Sequence, residues 1–189
     1  MSDKNFVNKY LNEFSSLLKP NDEIINKIIN VKSILLEAKA NNKKIMIFGN
    51  GGSAAIASHV SVDLTKNAKV RCVNYNEADL ITCFSNDYGY EKWVQKAVSF
   101  YGDEGDVLII ISASGKSKNM IYGCEAAKEK KFSNIITFTG NDKNNPVSKM
   151  GSINFWIDSK AYNFIENIHQ IWLLSIVDLI IGKREYPPN

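Results

Sequence analysis

The stretch DVLIIISASGKS, residues 106–117, decides the fold of this chain. Its first part is an unbroken apolar run from Val107 to Ile111, which predicts a strand buried on both faces, as in a parallel sheet. Its second part, from Ser112 to Ser117, is small and rich in hydroxyl groups, and a predicted helix follows it. A buried strand, a short loop and a helix in this order indicate an α/β fold.

The same order of elements is found on the N-terminal side of this stretch. An apolar run over 44–48 is followed by GNGGS at 49–53 and then by a predicted helix over 53–64. Ser53 is the predicted N-cap of that helix, because a serine side chain can accept from the first free amides. Further strands are predicted over 69–74, 134–138 and 153–157.

Helices are predicted between these strands and ahead of the first one. Two helices, over 5–19 and 23–40, precede the first strand, and a polar turn is predicted at 85–89. Apolar residues at helical spacing predict the remaining helices over 78–84, 90–101, 118–130 and 162–181. Strands that alternate with helices predict the α/β class, as a three-layer sandwich with a mostly parallel sheet flanked by helices.

Length and composition bound the classes of function. The chain has 189 residues, of which 44% are hydrophobic and 23% charged, so one folded domain over 1–189 is expected. The net charge of +3 is spread along the chain, which argues against a nucleic-acid partner. We expect no membrane segment, since no apolar run approaches about 20 residues. The N-terminus, MSDKN, lacks an apolar leader, and the three cysteines are scattered, so a cytoplasmic protein is expected.

The loops at 49–53 and 112–117 have the chemistry of anion sites. Glycines let backbone amides approach an anion, and a helix N-terminus adds about half a positive charge. Both loops follow strands of a predicted parallel sheet, and ligands gather at that edge. Either loop alone could be an ordinary turn, and neither has the pattern of a P-loop or a dinucleotide fold. Together they predict a phosphorylated small-molecule ligand.

Three segments of the chain resemble the sugar isomerase (SIS) domain family, in its phosphoheptose isomerase branch. They are NGGSAA at 50–55, SNDYGYE at 85–91 and SASGKS at 112–117, in the family's order. The resemblance covers nearly the whole chain and includes the two leading helices. It implies an enzyme that interconverts sedoheptulose 7-phosphate and a heptose 7-phosphate. It also implies a homotetramer with sites between subunits and, in many members, a bound zinc.

The resemblance places the substrate-binding residues on three segments. The first is the turn at Asn50, Gly51, Gly52 and Ser53, and the second is the pair Asn86 and Asp87. Without the resemblance, Asn86 and Asp87 would indicate a plain turn. The phosphate loop is predicted to contribute Ser112, Ala113, Ser114 and Ser117, although Ala113 replaces a threonine whose hydroxyl serves in the family.

The catalytic and metal positions depart from the family pattern. His59 matches a metal-binding histidine, whereas Asp63 stands in place of a glutamate that is both ligand and base. Glu166 stands where the family has a glutamine, and it is also a predicted substrate contact. Leu174 stands where the family has the second catalytic histidine. Aspartate is shorter than glutamate, and leucine can neither bind metal nor move a proton. We therefore expect Asp63 or Glu166 to be the base.

A metal site could be formed by His59, Asp63 and Glu166. The first two are four residues apart, so they share a helix face. One histidine and two carboxylates would suit Zn²⁺ or another divalent metal. The alternatives are that His59 is a core or interface histidine and that the two carboxylates are solvated helix charges.

Three functions are compatible with these residues. The first is an aldose–ketose isomerase acting on a sugar phosphate such as sedoheptulose 7-phosphate. The second is a non-catalytic SIS protein that binds a phosphosugar or docks a partner, which Leu174 and Ala113 favour. The third is an isomerase with a shifted substrate. In each case we expect self-association into a homotetramer or a dimer through residues 1–40, whose apolar stripes one small sheet cannot cover.

Overall fold

Five parallel strands form one sheet in the computed structural model, which describes residues 1–185. The strand order is β2-β1-β3-β4-β5, so β3 is central. Val107 of β3 pairs with Ile45 of β1 on one side and with Asn134 of β4 on the other. The strands are β1 (Ile45–Gly49), β2 (Cys72–Val73), β3 (Val107–Ser112), β4 (Asn134–Thr139) and β5 (Ile153–Trp156).

Seven α-helices accompany the sheet within residues 1–185. They are α1 (Asp3–Leu17), α2 (Asp22–Ala40), α3 (Gly52–Lys66), α4 (Ala78–Tyr88), α5 (Trp93–Tyr101), α6 (Lys118–Glu129) and α7 (Tyr162–Ile181). Short 3₁₀ turns lie at Tyr90–Lys92 and Val147–Lys149. The element order agrees with the alternation expected from the sequence.

The helices cover the sheet on both faces because its strands alternate apolar side chains between two cores. Ile45, Ile47 and Ile109 pack with α2, α3 and α7, whereas Met46 and Leu108 pack with α5 and α6. Every residue of β1 and β3 is buried. The three-layer α/β sandwich predicted from the sequence is therefore confirmed.

Helix α1 lies outside these layers. All its residues are exposed or half-buried, and Phe6, Val7 and Leu11 are largely exposed. It contacts α7 through the rings of Tyr10 and Phe14, whose centroids lie 4.5 and 5.7 Å from that of Phe164. The apolar stripe of α1 is thus only partly covered by its own chain.

Two local expectations were wrong. Helix α3 begins at Gly52 and not at Ser53, because Gly51 takes a φ of 54° and turns the chain into the helix one residue earlier. Of the polar turn predicted over 85–89, residues 85–88 form the last turn of α4, which ends where Gly89 takes a φ of 88°. Phe84 packs against the core and keeps this segment helical.

Helix α7 is long and apolar enough to cross a membrane by length and composition, which the sequence analysis did not anticipate. A core helix passes the same test. Its residues Ile165, Ile168, Trp172 and Ile176 are buried in the core beside the sheet. The apolar character of α7 is thus explained by packing.

Candidate active site

A cavity of about 140 Å³ opens where β1 and β3 end, and we call it the serine cavity. It is lined by Asn50, Ser53, Ile111, Ser112, Ala113, Ser114, Ser117, Tyr162 and Glu166. The loops after both strands contribute to it, as expected for the carboxyl edge of a parallel sheet. Seven of the predicted site residues are brought together here.

Hydroxyl groups and helix N-termini give the serine cavity the character of an anion site. The hydroxyl of Ser112 is buried and has no hydrogen-bond partner within residues 1–185. Ser117 is the N-cap residue of α6, and Ser53 lies in the first turn of α3. An unpaired buried hydroxyl beside two helix N-termini favours a bound phosphate group.

The shape of the phosphate loop depends on Gly115. Its φ is 64°, and its amide donates to the carbonyl of Ser112 at 2.9 Å, which closes a tight turn. A Cβ at this position would overlap the carboxamide of buried Asn145. Glycine is therefore required by both the conformation and the space.

A second cavity, of about 330 Å³, lies on the other side of Glu166, and we call it the histidine cavity. It is lined by Gly52, Ala55, Ile56, His59, Glu166, Asn167 and Gln170. Glu166 lines both cavities. Its carboxylate lies so close to the backbone of Gly52 that a Cβ there would overlap it. The predicted replacement carboxylate thus stands between the serine loop and His59.

His59 and Asp63 form a close side-chain pair, four residues apart on α3. His59 Nε2 lies 3.2 Å from Asp63 Oδ2, and His59 Nδ1 lies 3.1 Å from Gln170 Nε2. The other carboxylate oxygen of Asp63 accepts from Asn67 Nδ2 at 3.0 Å. Both ring nitrogens and both carboxylate oxygens are therefore engaged, and Asp63 lies outside both cavities.

The predicted metal ligands do not form a metal centre in this arrangement. Within residues 1–185, no group of three His, Cys, Asp or Glu side chains is placed to hold a metal ion. His59 and Asp63 bind each other, and Glu166 lies against Gly52. Leu174, which replaces the second catalytic histidine of the resemblance, is half-buried and packs against the core.

Asn86 and Asp87 lie apart from the two cavities. Both are exposed near the end of α4, where Asn86 Nδ2 donates to Asp87 Oδ1 at 3.0 Å. Gly51, also a predicted substrate contact, serves as the N-cap residue of α3. A single chain therefore assembles the serine loops with Glu166 but leaves Asn86 and Asp87 on its surface.

Sequence reasoning missed four residues of the site. Tyr162 lines the serine cavity, and Gln170 bonds to His59. Asn119 and Tyr90 both hydrogen-bond to Asn50. Tyr162 could have been found from its spacing, because it lies four residues before Glu166 on the same helix. The contacts of Asn119, Tyr90 and Gln170 join distant segments and had no local signal.

His169 follows Glu166 on α7 but is part of the core and not of the site. It is fully buried, and its Nε2 lies 3.1 Å from the carbonyl oxygen of Thr139. Burial lowers the pKa of this imidazole to about 4, and the hydrogen bond to Thr139 only partly opposes the change. His169 is therefore neutral at physiological pH.

The chain matches one protein family, and it is similar to bacterial proteins that carry the same enzyme name. The SIS domain family matches residues 9–140. A phosphoheptose isomerase of Hamiltonella defensa is 31% identical over 180 residues, which cover 92% of this chain and 84% of that protein. A phosphoheptose isomerase of Buchnera aphidicola is 32% identical over 190 residues, which cover 96% and 97% of the two chains.

Solved structures show the same architecture. The phosphoheptose isomerase of Neisseria gonorrhoeae superposes with a TM-score of 0.86 at 26% identity, over 96% of this chain and all of that one. The phosphoheptose isomerase of Francisella tularensis gives a TM-score of 0.85 over 97% and 100% of the two chains, and its 24% identity supports the fold alone.

Proposed function

The chain belongs to the SIS domain family and is of the phosphoheptose isomerase type, and we propose that it interconverts the ketose and aldose forms of a sugar phosphate such as sedoheptulose 7-phosphate. The relatives' names supply the reaction type. The serine cavity supports a phosphorylated ligand, since it places the unpaired hydroxyl of Ser112 beside the N-termini of α3 and α6.

The position of Glu166 between the two cavities is the observation that supports catalysis. Isomerisation needs a base that moves a proton between adjacent carbons, and donors that hold the enediolate oxygens. A phosphate held by Ser112, Ser114 and Ser117 would direct the sugar carbons toward Glu166, which lines the same cavity. Asn50, from the opposite loop, would donate to a sugar oxygen.

Glu166 is a better candidate for the base than Asp63. One oxygen of Asp63 accepts from Asn67, the other lies 3.2 Å from His59 Nε2, and the residue lies outside the cavities. A base must reach the proton at hydrogen-bond distance. We therefore assign the base to Glu166 and give Asp63 the role of orienting His59.

A divalent metal such as Zn²⁺ does not fit the present arrangement. His59, Asp63 and Glu166 offer at most three ligands, and two of these bind each other. Structural zinc sites use four protein ligands, and catalytic sites keep three that face one point. We propose that the chain holds Zn²⁺ weakly.

Self-association into a homotetramer or a dimer would complete the molecule. Phe6, Val7 and Leu11 of α1 and Ile25 and Ile29 of α2 are exposed and would be covered by another copy. Asn86 and Asp87, exposed on α4, could then reach a cavity of a neighbouring copy. Light scattering at assay concentration tests this proposal, and a monomer alone would contradict it.

A second function, non-catalytic phosphosugar binding, is favoured by Leu174 and by Ala113, which lacks the hydroxyl of the threonine that it replaces. Leu174 packs against the core where the resemblance places a catalytic histidine, so one acid–base group is missing. Such a protein would bind the sugar phosphate through the serine loops without converting it. In both cases we propose a cytoplasmic protein, in keeping with its composition and with the burial of α7.

The deciding experiment is incubation of the purified protein with sedoheptulose 7-phosphate, followed by NMR for the aldose product. We expect slow conversion, reduced by the ~10²–10⁴-fold typical of one lost acid–base group. Saturable binding without conversion would establish the second function. Absence of both binding and conversion would contradict the proposed function.

A further inference from the structure

Asn50 and Asn119 hydrogen-bond to each other through both ends of their carboxamides. Asn50 Nδ2 donates to Asn119 Oδ1 at 3.1 Å, and Asn119 Nδ2 donates to Asn50 Oδ1 at 2.8 Å. Asn50 lines the serine cavity, whereas Asn119 lies in the first turn of α6 and is 2% exposed. The pair ties the loop after β1 to the helix after β3.

The backbone amide of Met120 decides which way the two carboxamides face. A reciprocal pair would be equally satisfied if both side chains were turned over. The N–H of Met120 is shared between Asn119 Oδ1 and the carbonyl oxygen of Ser117, each 3.1 Å away. A turned Asn119 would place an NH₂ group against this donor in place of an acceptor, which is unfavourable although the bond to Ser117 would remain. The observed orientation of Asn119 is therefore favoured, and it orients Asn50.

The carbonyl oxygen of Asn50 is fully used in this arrangement. It accepts from Asn119 Nδ2 and from the hydroxyl of Tyr90, which is 3.1 Å away. A carbonyl oxygen has two lone pairs, and both are taken. One N–H of Asn50 is bonded to Asn119, and the other has no acceptor within residues 1–185. Toward a ligand, Asn50 can therefore only donate.

We propose that Asn119 is a positioning residue that, with Tyr90, holds Asn50 as a hydrogen-bond donor toward the sugar oxygen that gains negative charge during isomerisation. This inference rests on the proposed function and deepens it. A fixed donor binds an enediolate oxygen more strongly than a neutral hydroxyl, because the bond strengthens as charge develops. Asn119 thus acts on kcat through Asn50 and has little effect on KM.

The test compares two phosphorylated probes by titration calorimetry. One is the hydroxamate of a phosphorylated aldonic acid, whose planar, acidic group mimics the enediolate, and the other is the matching alditol phosphate. We expect the wild type to prefer the hydroxamate. Asn119→Asp should reduce that preference at least ~10-fold, because an aspartate accepts on both oxygens and no longer fixes the Asn50 amide. The new carboxylate also repels the phosphate that both probes carry, so affinity for the alditol phosphate should fall as well, and the ratio of the two affinities is the quantity that tests the positioning role.

Two further variants make the test decisive. Tyr90→Phe removes one exposed hydroxyl without risk to the fold, and we expect a smaller loss of the same preference. Asn74→Asp makes the same chemical change at an asparagine that bonds to Ser61 outside the cavities, and its preference should equal that of the wild type. If Asn119→Asp does not fold, Tyr90→Phe decides alone.

The outcomes separate this inference from the proposed function. A folded Asn119→Asp protein that keeps the wild-type preference overturns the positioning role and leaves the function intact. A wild type that binds neither probe overturns both. Where the wild type converts substrate, a fall in kcat with unchanged KM in Asn119→Asp supports the positioning role. A variant that is less stable than the wild type but keeps its kcat contradicts that role.

Discussion

The carboxylate of Glu166 lies against the backbone of Gly52, the first residue of helix α3. This contact brings a negative charge to a helix N-terminus, where the dipole and the free amides favour it. It also sets the carboxylate at the boundary of the serine and histidine cavities. The base proposed for the reaction is thus positioned by a residue without a side chain.

Glu166→Gln should abolish conversion of sedoheptulose 7-phosphate if Glu166 is the base. A glutamine of the same shape can hold a ligand but cannot accept the proton, so the rate should fall by ~10²–10⁴-fold. Affinity for the sugar phosphate should change little, because the serine hydroxyls remain. NMR of the reaction and calorimetry of binding measure the two effects separately. Glu129→Gln, on an exposed position at the end of α6, is the matched control.

Gly52→Ala should lower activity and leave the fold intact. The three atoms that the added Cβ would meet first belong to the carboxylate of Glu166, which is the flexible end of a side chain and can move away. Alanine also favours the helix by up to about 1 kcal/mol over glycine. We expect an unchanged or higher midpoint of thermal unfolding together with a reduced kcat. A variant with full activity would show that the Glu166–Gly52 contact does not position the base.

Ser114→Ala and Ser117→Ala should each weaken binding of a sugar phosphate by about 1 kcal/mol or more, since each removes a donor to the phosphate. Both residues line the serine cavity. Calorimetry with inorganic phosphate and with the sugar phosphate measures the loss. Ser33→Ala, in which an exposed serine bonded to the carbonyl of Ile29 is changed, should bind as the wild type does. Unchanged affinity in both cavity variants would remove this loop from the site.

The phosphate loop could be predicted from sequence because its determinants are local. An apolar run, followed by small hydroxyl residues and a helix, places Ser112 to Ser117 at a sheet edge whatever the rest of the chain does. The end of α4 could not be predicted in this way. Asn86 and Asp87 favour a turn locally, but Phe84 packs against the core and the helix continues to Tyr88. Local preference and tertiary packing disagree there, and packing prevails.

The contacts that orient the site could likewise not be predicted from the sequence. Gly52 and Glu166 are distant in the chain, as are Asn50 and Asn119, and their proximity follows only from the strand order of the sheet. The predicted metal set shows the same limit. The spacing on one helix predicted that His59 lies near Asp63. It could not predict that the ring of His59 would contact both Asp63 and Gln170.

The chain should bind Zn²⁺ weakly. His59 Nδ1 is hydrogen-bonded to Gln170 and Nε2 lies against Asp63, and the three candidate ligands do not face one point. Dialysis against a chelator, followed by metal analysis, should leave much less than one zinc per chain. One zinc per chain that survives dialysis and is lost in His59→Ala would show that these side chains rearrange around a metal.

Acid should destabilise the protein through His169. Burial lowers the pKa of its imidazole from the ordinary value of 6.5 to about 4 in the folded state, so between these values the unfolded chain binds more protons. The free energy of unfolding should therefore fall as the pH is lowered from about 6.5 to 4, by up to about 3 kcal/mol from this residue. Below pH 4 both states are protonated there and the contribution is constant.

Urea unfolding at a series of pH values measures this dependence against His169→Gln. The glutamine amide can still donate to the carbonyl of Thr139, which accepts from the imidazole in the wild type. It does not titrate, so the variant should show a shallower loss of stability between pH 6.5 and 4, even if it is less stable at pH 7. Ser33→Ala, which changes an exposed helix residue with no titratable group, is the control and should keep the slope of the wild type. Equal slopes in the wild type and His169→Gln would mean that the buried imidazole is not the group that acid protonates.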